Sequence, residues 1–260
     1  MTRLVRQAVL SLFTLAILTL PAAAQNAGEV PPEQTEVWEP VPAVVTVPPI
    51  DGPAAVPSDA IVLFDGTSLD EWVAASDGSP AGWIVADGVM TVHKPAGDIR
   101  TRREFRDFQI HVEWRVPEDI TGEGQARGNS GLFLSTAGTG YELQILDSYR
   151  NSTYVNGMAG SIYKQAIPLA NPSRPPGEWQ TYDVVWRAPR FDAQGALTAP
   201  ARVTVFYNGV LVQDDFELLG ETRYRGAPEY NAYESAPILL QAHGDPSPPI
   251  SFRNIWVREL

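Results

Sequence analysis

Glu142 and Gln144, in Tyr141-Glu142-Leu143-Gln144-Ile145, are the first residues whose types and spacing suggest chemistry. A carboxyl group accepts a hydroxyl or moves a proton, and an amide both donates and accepts. His243, in Gln241-Ala242-His243-Gly244, brings the side chain best suited to proton transfer near neutrality. Gln241 stands two residues before it, and His111 stands two before Glu113. Asn129 precedes Ser130-Gly131 after a glycine-rich stretch, where Gly131 allows close backbone approach. Lys164, one of two lysines, can stabilise a developing oxyanion. His111, Glu113, Glu142 and His243 are also ligand types for a divalent cation, although no local spacing groups them. Asp147 lies five positions from Glu142, an odd offset that puts the two on opposite faces of a regular strand. It reads as a turn or cap residue.

These groups need elements to hold them, and the pattern that recurs is alternation. Phe108, Ile110, Val112, Trp114 and Val116 alternate with Gln109, His111, Glu113 and Arg115, which predicts a half-buried strand. Further strands are expected at Leu132–Leu134, Tyr141–Leu146, Tyr182–Trp186, Ile238–Gln241 and Phe252–Val257. Asp87-Gly88 and Asn208-Gly209, each between apolar runs, are hairpin signals. No helical period stands out. Ten or more strands over about 200 residues, with frequent turns, predict an all-β antiparallel sandwich, a jelly roll. Period-two geometry turns His111, Glu113 and Arg115 away from the core, and does the same for Glu142 with Gln144. Gln241 shares a face with His243, whereas around Arg253 parity is indecisive because both faces carry bulky apolar groups. On a concave sheet these side chains form one polar groove. The tryptophans read mostly as core, and one exposed ring would offer a stacking platform for a sugar.

Composition narrows the partners. With no cysteine among 260 residues, disulfides, thiol catalysis and Cys-based metal sites are excluded. A net charge of −12, with no basic run, argues against nucleic acid and points to a neutral or cationic partner. Residues 1–24 read as a signal peptide: Arg3 and Arg6, an apolar stretch, then Ala22-Ala23-Ala24. The apolar run is too short to span a bilayer, so the expected product is exported, periplasmic or secreted, and soluble. Residues 25–58 hold eight prolines, five acids and no base, the composition of an extended acidic linker or docking strip. The folded domain is expected over 59–260.

A set of strings in this domain resembles the 3-keto-disaccharide hydrolase domain family. The matching pieces are Leu63-Phe64-Asp65-Gly66 with Trp72, Gly128-Asn129-Ser130-Gly131-Leu132-Phe133 and Tyr141 through Ser148. They continue with Gly160 through Gln165, Pro176 through Asp183, Asn208-Gly209-Val210 and Phe252 through Trp256. The resemblance implies a concanavalin-like jelly roll with a concave sugar site, acting on glycosides already oxidised at C3. A C3 ketone acidifies the C2 proton, so a base can remove it and expel the C1 substituent, after which water adds. By resemblance Glu142 and His243 form the acid/base pair, while Lys164, Arg253, Gln144 and Asn129 hold the keto sugar. Gln241, His111 and Glu113 join the substrate-binding set through the parity argument. This chemistry requires no cofactor. The rival expectation is a non-catalytic carbohydrate-binding module, which needs an aromatic platform and amides rather than paired titratable groups.

Overall fold

A computed structural model describes residues 30–260, so the expected signal peptide lies outside the described residues. In chain order the strands are β1 (Ile61–Phe64), β2 (Trp72–Ala74), β3 (Ile84–Ala86), β4 (Val89–Thr91) and β5 (Ile99–Thr101). Then come β6 (Phe108–Arg115), β7 (Ser130–Phe133), β8 (Glu142–Ile145), β9 (Gln180–Arg187) and β10 (Arg190–Phe191). The last are β11 (Leu197–Ala199), β12 (Arg202–Tyr207), β13 (Val210–Glu217), β14 (Leu239–Leu240) and β15 (Ser251–Glu259). Among the described residues the only helical pieces are short 3-10 turns.

The strands build two antiparallel sheets and a small ribbon of β10 with β11. The larger sheet runs β13-β12-β9-β6-β15-β4-β3, with β1 also pairing to β15; the smaller runs β2-β5-β14-β7-β8. Both expected hairpins form. Asp87 and Gly88 have φ of 51° and 77°, and Asn208 and Gly209 have 52° and 78°. Two consecutive left-handed residues make the tight turn whose twist matches the strands it joins.

One apolar core lies between the sheets. Ile110, Val112 and Trp114 of β6, Val184 and Trp186 of β9, and Val203 and Val205 of β12 enter it from one side. Leu132, Leu143, Ile145 and Leu240 meet them from the other. This is the antiparallel jelly-roll sandwich that the alternation predicts, and the concanavalin-like form that the resemblance implies. Trp114, Tyr182 and Tyr207 form an aromatic cluster, with ring centroids 5.0–5.8 Å apart. The Tyr182 hydroxyl donates a 2.7 Å hydrogen bond to the Gln144 carbonyl, crossing from the large sheet to the small one.

The indecisive parity near Arg253 has a physical cause. Asn254 takes a left-handed φ of 46°, and the pairing of β15 with β6 slips between Arg253 and Trp256. The resulting bulge lets Phe252 and Ile255 both enter the core, while Trp256 turns outward and stacks on His111 at 5.2 Å.

The proline-rich segment is bonded to the domain rather than free of it. Lys164 Nζ donates to the Pro32 carbonyl (2.7 Å), and the Asn156 amide bonds both Thr35 O and Val37 N (2.9 Å each). Further along, Asn171 bridges Ala43 and Val45, Arg174 Nε donates to Pro48 O, and Ala54 N donates to Glu113. Prolines suit this role because a chain with preset φ loses less entropy when it docks.

Replacing Tyr182 by Phe is expected to lower unfolding stability by about 1 kcal/mol, the usual net worth of one buried hydrogen bond. Urea unfolding measures it. An unchanged midpoint would show that the bond between the sheets contributes nothing.

Candidate functional site

Leu143 and Ile145 are locked in the core, so Glu142 and Gln144 must stand on the outer face of the small sheet. On the neighbouring strand β7, Gly131 pairs with Gln144 and Phe133 with Glu142. A Cβ on Gly131 would lie 2.7 Å from Glu142 Oε1 and 2.9 Å from the Phe133 ring. The missing side chain therefore leaves room above the sheet. Gln241 N bonds Gly131 O at 3.0 Å, which brings the end of β14 and the following His243 alongside. The result is a groove of about 700 Å³ lined by Asn129, Glu142, Gln144, Gln241 and His243. Five of the nine residues expected at the site are thus together.

Their partners define what they can do. Glu142 is only 6% exposed, and its carboxyl group has no hydrogen-bond partner among the described residues. Burial pushes its pKa up to about 8, and the nearby charge of Asp98 adds to the shift. At neutral pH it carries a proton. Gln144 Nε2 donates to Asn129 Oδ1 (2.9 Å), and Asn129 Nδ2 donates to the Gln125 carbonyl (2.9 Å). These bonds consume the amide donors and leave Gln144 Oε1, like Gln241 Oε1, buried without a partner. Bare acceptors suit the hydroxyl donors of a sugar.

His243 is fastened through Nδ1, which lies 3.2 Å from both Oδ2 and the backbone N of Asp245. Nε2 has no partner among the described residues. Asp245 is itself held by Lys94 Nζ (3.2 Å) and Ser247 N (2.9 Å). Burial would raise the Asp245 carboxyl, but hydrogen bonds from His243, Ser247 and Lys94 outweigh it and hold the pKa near 2. A fixed anion behind the ring is the arrangement that orients a histidine for proton transfer.

Tyr154 and Tyr163 were not singled out from the sequence, yet both line the groove. Their hydroxyls are 2.7 Å apart, so one O–H is used within the pair and the other is free to donate. Burial keeps both phenols protonated, raising Tyr154 to about 12 and Tyr163 higher still. The signal was present for Tyr163, which adjoins Lys164, and for Asp245, two residues after His243.

Four expected residues lie elsewhere. Lys164 Nζ donates to the carbonyls of Pro32 and Tyr224 (2.7 and 3.1 Å), among the rings of Tyr154, Tyr163 and Tyr224. It is a rivet for the N-terminal segment beside the groove. His111, Glu113 and Arg253 sit on the outer face of the large sheet, across the core from Glu142. The single polar groove expected from parity is corrected here: alternation gives a face, but β6 and β8 belong to different sheets. Nor is the β6 face open. Glu113 is fully buried, accepting from Arg253 Nε (2.6 Å), Asn254 Nδ2 (2.8 Å) and Ala54 N (2.7 Å). Desolvation is outweighed by hydrogen bonds from His111, Asn254, Ala54 and Arg253, which keep its pKa near 2. His111 is likewise desolvated, but Asp183 at 2.7 Å and Glu113 at 3.4 Å raise it to about 9. Arg253 also lies over the Trp179 ring at 4.2 Å. The four cation-ligand types do not assemble, and no cluster of three such groups among the described residues is arranged for a metal. Asp147 is the expected turn residue, accepting from Tyr149 N and Arg127 Nε.

The raised Glu142 pKa has a consequence for stability. Between about pH 4.5 and 8 the folded state holds a proton that the unfolded chain has lost, so stability falls as pH rises through this window. Chemical denaturation at pH 5 and pH 8 should show this loss in the wild type and a smaller one in Glu142→Gln. Equal losses in both would mean that Glu142 titrates normally.

Among solved structures, the chain is 54% identical to a "putative glycosyl hydrolase" of Parabacteroides distasonis, with TM-score 0.76. That match covers 88% of this chain and 96% of the other. A second protein of the same description and organism is 21% identical over 77% of this chain and 94% of its own. Its TM-score of 0.57 is a likeness of fold. No curated protein matches the chain. The family model of the 3-keto-alpha-glucoside-1,2-lyase-like domain matches residues 59–258, and the chain belongs to this family.

Proposed function

We propose that this chain is an exported enzyme that cleaves the glycosidic bond of 3-keto-glycosides by elimination followed by hydration. The observation that carries the reading is the Glu142 carboxyl group, buried and without a hydrogen-bond partner, in one groove with the Asp245-anchored His243; burial raises its pKa, which suits an acid. Family membership supplies the substrate class, and the leader expected at residues 1–24 supports export. Among the described residues no helix is long and apolar enough to cross a membrane.

The steps follow from the groups present. His243 Nε2 takes the C2 proton, which the C3 ketone makes acidic, and the electron pair develops an enolate on the ketone oxygen. The free O–H of the Tyr154–Tyr163 pair is the donor for that charge. The C2 electron pair then forms the C1–C2 double bond as the C3 ketone re-forms and the C1–O bond breaks, and Glu142 gives its proton to the leaving oxygen. Water adds back in reverse: the Glu142 carboxylate takes a proton as the hydroxyl joins C1, and His243 returns its proton to C2. Gln144 Oε1 and Gln241 Oε1 accept from ring hydroxyls.

The test is an incubation of the mature protein with an aryl 3-keto-glucoside carrying a chromogenic leaving group, beside the unoxidised glucoside. Release should require the ketone, and Glu142→Gln or His243→Ala should each lower kcat by about 10²–10⁴-fold. A chelator control reports whether a cation takes part. Because Glu142 acts as the acid, kcat should fall as pH rises through about 8, and Glu142→Gln should lose that limb. A rise through the same range would make Glu142 the base. Binding of keto and plain sugars without release would identify a binding module.

A further inference from the structure

One wall of the groove comes from outside the 59–258 domain. Glu36 lines the cavity, and it sits at the end of the 3-10 turn Pro32–Thr35. Its placement is built. The buried Asn156 spends both ends of its amide on the flanking residues, donating to Thr35 O and accepting from Val37 N. Val155 N donates to Val37 O at 2.7 Å, and the Trp38 ring packs edge-on against Tyr154 at 6.1 Å. With Lys164 holding Pro32, residue 36 is pinned on both sides.

The carboxylate presented there has no hydrogen bond or ion pair among the described residues. Its charge reaches Tyr154, as does that of Glu142, whereas Asp98 is the one charge that shifts Glu142 itself. The other acids of the groove are silent as charges at neutral pH: Glu142 is protonated, and Asp245 is paired with Lys94 and His243. Lys164 feels the charge of Glu36 but spends its ammonium on the carbonyls of Pro32 and Tyr224, so Glu36 is the groove acid with no cation bonded to its carboxylate.

We propose that the N-terminal segment is part of the substrate site and that Glu36 is a specificity-determining residue, favouring glycosides whose flanking group is cationic or neutral over anionic ones. The inference rests on reading the groove as a glycoside site, but not on the reaction assigned to it. A unit charge placed roughly 8 Å from a ligand charge in a partly wet groove shifts affinity about fivefold.

The experiment uses aryl 3-keto-C-glucosides, which have no leaving oxygen and so report binding alone. Three are compared, bearing a neutral, a trimethylammonium and a carboxylate group, by titration calorimetry on the full mature chain. Wild type should bind the cationic ligand more tightly than the anionic one. That ratio should fall about 25-fold in Glu36→Gln, roughly fivefold from each charged ligand, and invert in Glu36→Lys, with the neutral ligand little changed. Glu33→Gln, an exposed acid outside the groove, should leave the ratio alone. A ratio unmoved in Glu36→Lys, or no binding by wild type, would overturn the inference. If the ratio shifts while the matching O-glucosides are not cleaved, the proposed reaction falls and the role of Glu36 stands.

Discussion

A hydrogen bond runs through the core from one sheet to the other, from the Tyr182 hydroxyl to the Gln144 carbonyl, and the site is built on the strand it holds. Tyr182 is fully buried in an aromatic cluster and cannot shift without disturbing Trp114 and Tyr207. It thereby sets the height of β8 over the core, while Leu143 and Ile145 set its facing. With facing and height both determined, Glu142 and Gln144 have one place to stand. Gly131 then keeps that place open, because any side chain there would meet the Glu142 carboxyl group.

The two outer faces of the sandwich carry similar residue types and do different work. On the large sheet, Glu113 accepts bonds from an arginine, an asparagine and a backbone amide, and His111 lies between two carboxylates. The Glu113 carboxylate and the His111 ring are matched within the protein, so these groups bind the chain to itself. On the small sheet, Glu142, Gln144 Oε1 and Gln241 Oε1 are buried with nothing to pair with. Leaving such groups unmatched costs stability that a ligand recovers. Arg253 Nη2 and Trp256 Nε1 on the large-sheet face also lack partners, so it is the pairing of the carboxyl groups that separates Glu113 from Glu142.

The proline-rich segment links both faces. It begins beside the groove at Pro32 and Glu36 and ends at Ala54, hydrogen-bonded to Glu113 and Asn254 on the opposite side. Composition says that the segment has no way to bury a core of its own. Composition is silent on docking, because the groups that receive it (Asn156, Asn171, Arg174 and Glu113) are scattered over the domain.

Alternation in the sequence by itself determined the sandwich, both hairpins and the outward facing of Glu142, Gln144, His111 and Glu113. A strand's side chains have a period of two, and burial of the apolar set leaves no freedom over the rest. The distinctive strings from Leu63 to Trp256 likewise determined the family. Tertiary structure alone decided which outward residues share a space. Sheet membership depends on long-range pairing, so β6 and β8 could not be assigned to opposite sheets from their own patterns. It decided, too, that Lys164 serves the N-terminal segment, that Tyr154 and Tyr163 join Glu142, and that a bulge at Asn254 inverts the parity of β15. Each of these depends on distances between residues far apart in the chain, and no local period encodes them.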